Sequence, residues 1–208
     1  MISTKEIREK ITSKDFLNTL AWLYCCDSKT ARNHADRYLH VLDGLEAEYG
    51  SHKTAALFSA PGRTEIGGNH TDHQHGCVLA GSVNIDMIAA VGGNSLNQLR
   101  LKSEGYDPYV IDLNNLEKRE EEENTSFSIL RGTCKAFADR GAKLTGMDVY
   151  VSSNVPKGSG VSSSAAFEVL IGTILNALFM GEKRITPIEI AQIGQWVENV
   201  YFGKPCGL

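Results

Sequence analysis

Apolar residues recur along the first fifty positions at helical spacing. Between Asp15 and Cys26 they fall on one face, and from Thr30 to Tyr49 the residues Ala31, Ala35, Tyr38, Leu42, Leu45 and Tyr49 alternate steps of four and three. Gly50 stands where a helix closes on a residue with no Cβ. The rhythm is too short for a coiled coil, so these helices are expected to pack on the rest of the chain. Beyond them the period changes. Ala55–Ala60 reads as a short strand that Pro61-Gly62 stops, Cys77–Gly92 as a longer one with Val83–Val91 its clearest part, and 97–104, 109–113 and Met147–Ser153 as further strands. Ser126–Arg140 is an amphipathic helix closed by Gly141, and Phe167–Met180 is apolar at helical spacing. A last helix starts at Thr186-Pro187, a cap followed by proline at the first helical position, and runs through Ile190, Ile193 and Val197 to Tyr201.

Strands clustered ahead of the internal helices predict an α+β fold, a mixed or antiparallel sheet backed by helices. With 208 residues and 42% apolar content the chain suits one core, here a domain over 55–208 and a helical extension over 1–54. A net charge of −4 offers no general attraction to nucleic acid or to an anionic membrane. No apolar run reaches the ~20 residues that span a bilayer and the first residues carry no signal-peptide core, so a cytoplasmic protein is expected. The five cysteines form no C-x-x-C pair, which predicts reduced thiols. The charge run Glu117–Asn124 is expected to be solvated surface.

The chemistry concentrates in two stretches. Asn154-Val-Pro-Lys-Gly-Ser-Gly-Val-Ser-Ser-Ser-Ala-Ala166 joins a strand to a helix. Its Gly158 and Gly160 let the backbone approach an anion, with Ser159 and Val161 between and after them. Ser162, Ser163 and Ser164 meet the unpaired N–H groups and positive dipole end of the new helix. That suits a phosphate, and a serine oxygen also suits Mg²⁺; the alternative is a serine cap after an ordinary turn. The loop has neither the Gly-Lys-Ser/Thr ending of a P-loop nor the G-x-G-x-x-G spacing of a dinucleotide fold. The second stretch, Arg63–Gly76, holds His70, Asp72, His73 and His75. A metal site there is disfavoured, because on an extended segment His73 and His75 oppose His70 and no second cluster completes it. Asn69, His70 and Asp72 instead supply the directed donors and acceptors that a polyol needs.

The first stretch resembles the glycine-rich signature P-x-G-x-G-L-S-S-S-A of the GHMP small-molecule kinases, with Val161 in the leucine position. Ala60-Pro-Gly-Arg63, Gly68-Asn-His-Thr-Asp72 and Gly76 resemble the galactokinase signature A-P-G-R-V-N-L-I-G-E-H-T-D-Y-N-x-G. Glu198 and Pro205-Cys-Gly-Leu208 are similar to that family's metal-binding Glu and the opening of its P/C-C-G-x-M-D-Q segment. The resemblance covers about residues 55–208 and implies the N-terminal domain of a GHMP kinase. It also implies ATP phosphates on Gly158, Ser159, Gly160, Val161, Ser162, Ser163 and Ser164, and Mg²⁺ on Ser164 and Glu198. Arg63 would stabilise charge at the reacting centre, and Asn69, His70, Thr71 and Asp72 would hold the sugar. The implied reaction is phosphoryl transfer from ATP to the anomeric hydroxyl of galactose. The same resemblance puts the family's catalytic Asp two residues past Leu208. The chain is therefore expected to be an N-terminal portion, inactive alone and able to self-associate through an exposed interface.

Two positions depart from the pattern. Glu65 stands where the family has Asn, and Asn69 where it has the Glu associated with the sugar's C6 hydroxyl. A carboxylate only accepts hydrogen bonds whereas an amide also donates, which opens a uronic acid as a substrate in place of galactose. Galactose leads, because the sugar-type His70-Thr-Asp72 favours it over a GHMP alcohol such as mevalonate or homoserine; a protein of galactokinase ancestry that senses galactose without phosphorylating it is a third reading.

Overall fold

The computed structural model describes residues 1–68, 76–156 and 163–207. Three helices open the chain, each started by a side chain that accepts from an otherwise unpaired backbone N–H: Ser3 for α1 (Thr4–Ile11), Ser13 for α2 (Lys14–Leu23) and Asp27 for α3 (Ser28–Tyr49). Gly50, at φ 85°, closes α3 in a conformation that a Cβ would strain. The two-residue strand β1 (Ile2–Ser3) is followed, after the helices, by β2 (Thr54–Gly67), β3 (Leu79–Gly93), β4 (Gln98–Ser103), β5 (Tyr109–Asp112) and β6 (Met147–Ser153). They form one sheet in the order β1-β2-β3-β6-β4-β5, antiparallel except for the β4–β6 pair. Helices α4 (Ser126–Asp139), α5 (Ser163–Phe179) and α6 (Pro187–Val197) follow, and α6 passes into a π-helical turn over Glu198–Phe202.

The sheet is covered on both faces. Met87, Ala89 and Val91 of β3, with Met147, Val149 and Val151 of β6, meet Leu130, Phe137, Leu170, Ile174 and Val197 of α4–α6. The alternate residues Ile88 and Ala90 meet Ile11, Leu20, Leu42 and Leu45 of α1–α3. The run Met87–Val91 is apolar at every position because both of its faces are buried. The N-terminal helices thus share a core with β2 and β3. No helix among the described residues is long and apolar enough to cross a membrane.

Two expectations are corrected. Pro61-Gly62 does not stop β2: Pro61 stays opposite Asp86, and the register shifts between Pro61 and Arg63 and again between Glu65 and Gly67. Proline has no N–H to give the ladder, and a bulge accommodates it while the strand bends onward. The charge run is only partly solvated, because Glu122 lies 12% exposed against the buried Arg131 of α4. Arg131 donates from Nε and Nη2 to the two Glu122 oxygens at 2.6 Å each. A planar guanidinium on a carboxylate is the arrangement in which a charge pair tolerates burial.

Candidate active site

The loop between β6 and α5 is anchored at its start. Asn154 N donates to the Asp86 carbonyl at 3.0 Å, and Val155 N to Ser153 Oγ at 3.1 Å. Residues 157–162, including Gly158, Ser159, Gly160, Val161 and Ser162, lie outside the described residues, as do Asn69, His70, Thr71, Asp72 and the other histidines of that stretch. Ser163 and Ser164 form the first turn of α5, where backbone N–H groups point away from the helix with no partner inside it.

That turn stands between two concavities. On one side Ser163 and Ser164 line a cleft of about 650 Å³ whose apolar wall is Met87, Tyr106, Tyr109, Ile129, Phe167 and Phe202. Tyr109 meets Phe127 edge to face at 4.9 Å, and Asn124 N donates to the Phe202 carbonyl at 3.0 Å, which joins the end of the charge run to the π turn across the cleft. On the other side Ala165, Ala166 and Val169 of α5 share a smaller recess with Pro61, Gly62 and Arg63 of β2 and Ala80–Ser82 of β3. Ala165 and Ala166 are small enough to let the helix start approach the bulged strand. The bulged strand thus sets Arg63 beside Ala165, Ala166 and Val169, while Ser163 and Ser164 line the other concavity.

Glu198 lies on α6's continuation, at the first position of the π turn. Its carboxyl is within hydrogen-bonding reach of Glu168 from α5. Glu168 is 7% exposed and its Oε1 meets no donor. Burial, and then Glu198 beside it, push the Glu168 carboxyl up to about 9. The segment after the π turn folds back over this pair: Lys204 N donates to the Glu198 carbonyl at 3.0 Å and Cys206 N to Asn199 Oδ1 at 2.9 Å. Burial and the two carboxylates push the Cys206 thiol up to about 12, so it stays protonated. Sequence reasoning did not single out Glu168. The available signal was a carboxylate one helical turn after Ser164, the one charged residue of that helix. The aromatic lining of the cleft, Tyr106 and Tyr109, was missed as well, since nothing in its spacing marks it.

An apolar cleft beside a helix N-terminus is a shape that can take a nucleotide and its phosphates. The model of the GHMP kinases N terminal domain matches residues 128–208, and that of the galactokinase galactose-binding signature matches residues 45–93. Over these residues the chain is similar to the GHMP kinases, and among them to galactokinases. It is 35% identical over 170 residues to the galactokinase of Lacticaseibacillus casei (strain BL23), covering 81% of this chain and 43% of that protein. It is 34% identical over 152 residues to the galactokinase of Streptomyces coelicolor, covering 73% and 39%. Among solved structures, Lactococcus lactis galactokinase complexed with galactose superposes with a TM-score of 0.73 at 26% identity, over 81% of this chain and 44% of that one. Methanococcus jannaschii mevalonate kinase shares the fold at a TM-score of 0.61 and 19% identity, over 76% and 49%. The chain thus spans less than half the length of the curated relatives it matches.

Proposed function

We propose that these residues form the nucleotide- and sugar-binding part of an ATP-dependent galactose kinase that phosphorylates the anomeric hydroxyl. The observation that carries the reading is the position of α5's first turn, with an apolar cleft on its Ser163/Ser164 side and Arg63 on its Ala165/Ala166 side. A purine fits a cleft walled by Tyr106, Tyr109 and Phe167. The phosphates then reach the N–H groups and hydroxyls of Ser163 and Ser164, with Gly158, Ser159, Gly160, Val161 and Ser162 completing the loop. Arg63, on the far side of the same turn, offers a planar fork of donors to the phosphoryl group in transit. Asn69, His70, Thr71 and Asp72 hold the sugar in this reading, next to the strand that carries Arg63.

The donor set fits Mg²⁺. Ser164 and Glu198 offer the oxygens that a hard cation prefers, beside a buried carboxylate whose Oε1 has no donor. When bound, the ion supplies neutralisation of charge between the phosphates. The protein's part is positioning: the helix start fixes the phosphates, the bulge fixes Arg63, and the signature stretch fixes the sugar hydroxyl in line. ATP as donor fits a cytoplasmic enzyme.

Galactose is favoured over a uronic acid or a sensing role because the relatives matched across most of this chain are galactokinases. The test is ADP release by a protein of the relatives' full length that contains these residues, with galactose, galacturonate, glucose or no sugar. ADP release with galactose alone is expected. Release with galacturonate alone would assign Glu65 and Asn69 to a different specificity. A folded protein that binds galactose and releases no ADP would make it a sensor.

A further inference from the structure

Helices α5 and α6 face each other with two one-turn pairs. Ser164 and Glu168 share a face of α5, and Gly194 and Glu198 share a face of α6 and its π turn. One close approach is at Gly194. A Cβ there would stand 2.9 Å from Glu168 Oε2, so glycine leaves the room that the carboxylate occupies. The other oxygen, Oε1, is buried without a donor, while the carboxyl as a whole sits against Glu198. Two carboxylates in contact, one of them buried, repel unless something positive lies between or beside them. Gln195, next to Gly194, gives its amide to the Cys206 carbonyl and not to the pair. A buried acceptor without a donor in a native fold calls for a ligand.

Divalent cations at phosphate sites are held by one or two carboxylates together with the phosphates themselves. Resting on the metal site read above, we propose that Glu168 is a second carboxylate ligand of the divalent cation, sharing it with Glu198 and the Ser164 hydroxyl. The π turn serves this arrangement. Its wider coil starts at Glu198, and such single turns inside helices recur at functional sites because they re-aim one side chain. Glu198 is thereby presented to α5 while Val197 and Tyr201 remain in the core.

The experiment is titration of the 208-residue chain with Mn²⁺ alone, reading free Mn²⁺ by electron paramagnetic resonance. It compares the wild type with Glu168→Gln, Glu198→Gln and Gly194→Ala, each checked for its fold by circular dichroism. Removing a ligand or displacing it is expected to weaken Mn²⁺ binding roughly tenfold or more for either Gln variant. Gly194→Ala keeps both charges and pushes only the Glu168 carboxylate, and is expected to weaken binding several-fold. Should Glu168→Gln fail to fold, this variant decides the matter. Wild-type or tighter affinity in the folded Glu168→Gln or Gly194→Ala, with loss in Glu198→Gln, would overturn the proposal and leave Glu198 as the ligand. No Mn²⁺ binding by the wild type, or binding untouched by Glu198→Gln, would overturn the metal site itself along with it.

Discussion

Asp86→Ala is expected to lower the stability of the fold by about 3–5 kcal/mol, because it removes one partner of a buried ion pair and leaves the other uncompensated. Asp86 is 2% exposed in the middle of the most apolar strand. Its Oδ1 accepts from Arg37 Nη1 at 2.8 Å, and its Oδ2 accepts from Ser59 Oγ at 2.6 Å and from the Tyr24 hydroxyl. Tyr24 in turn stacks on His34 at 3.7 Å and meets the Tyr38 hydroxyl at 3.2 Å. Burial, Tyr38 and Asp86 hold the Tyr24 hydroxyl far above its ordinary range, so it remains a donor at any working pH. One carboxylate thus ties α2, α3 and β2 to β3. It also lies opposite Pro61, where the bulge begins, and its carbonyl holds Asn154 at the start of the loop. Urea unfolding of Asp86→Ala, Arg37→Met and the double variant measures this. The double variant should recover part of the loss, since it leaves no buried charge alone. A loss below about 1 kcal/mol for Asp86→Ala would put this group among exposed pairs, which the burial contradicts.

The second large effect is on turnover. In a protein of the relatives' full length, Arg63→Ala is expected to lower kcat by roughly 10²- to 10³-fold, the usual consequence of removing one preorganised donor from charge that develops in a transition state. Arg63 is set by the register shift after Pro61 and lines the recess on the Ala165/Ala166 side of α5's first turn. In the proposed reaction its contribution belongs to the phosphoryl group in transit more than to either bound ground state. Galactose affinity, read by calorimetry, should change little. Arg63→Lys keeps the charge and loses the fork, so it should fall between the two. Turnover within a few-fold of wild type in Arg63→Ala would make the residue structural, with its guanidinium serving the strand alone.

The elements with strong local signals were legible in the sequence. The Thr30–Tyr49 rhythm became α3 (Ser28–Tyr49) with Gly50 closing it, and Thr186-Pro187 opened α6 with a full capping box to Glu189. The serine run announced a helix start, which falls at Ser163, and Arg63 and Glu198 both lie beside that helix. What the sequence concealed depends on partners far along the chain. Pro61-Gly62 looks like a stop because local rules know nothing of Asp86 across the ladder. The charged Glu122 looks solvated because its partner Arg131 lies on a helix not yet formed. Glu168 reads as an odd polar residue on an apolar helix until α6 brings Glu198 against it. The placement of α1–α3 on the sheet's second face was written in the unbroken apolar run Met87–Val91, yet such a run by itself does not say which elements cover it.

The most direct test of the account is hydrogen exchange of the 208-residue chain with and without galactose and the non-hydrolysable nucleotide AMP-PNP with Mg²⁺, following peptides that cover the first turn of α5. Slower exchange at Ser163–Phe167 and along the Tyr106–Tyr109 wall is the predicted result, since the phosphates would occupy the open N–H groups of that turn and the base the cleft. Bound nucleotide, verified by calorimetry, that leaves the exchange of this turn unchanged would contradict it.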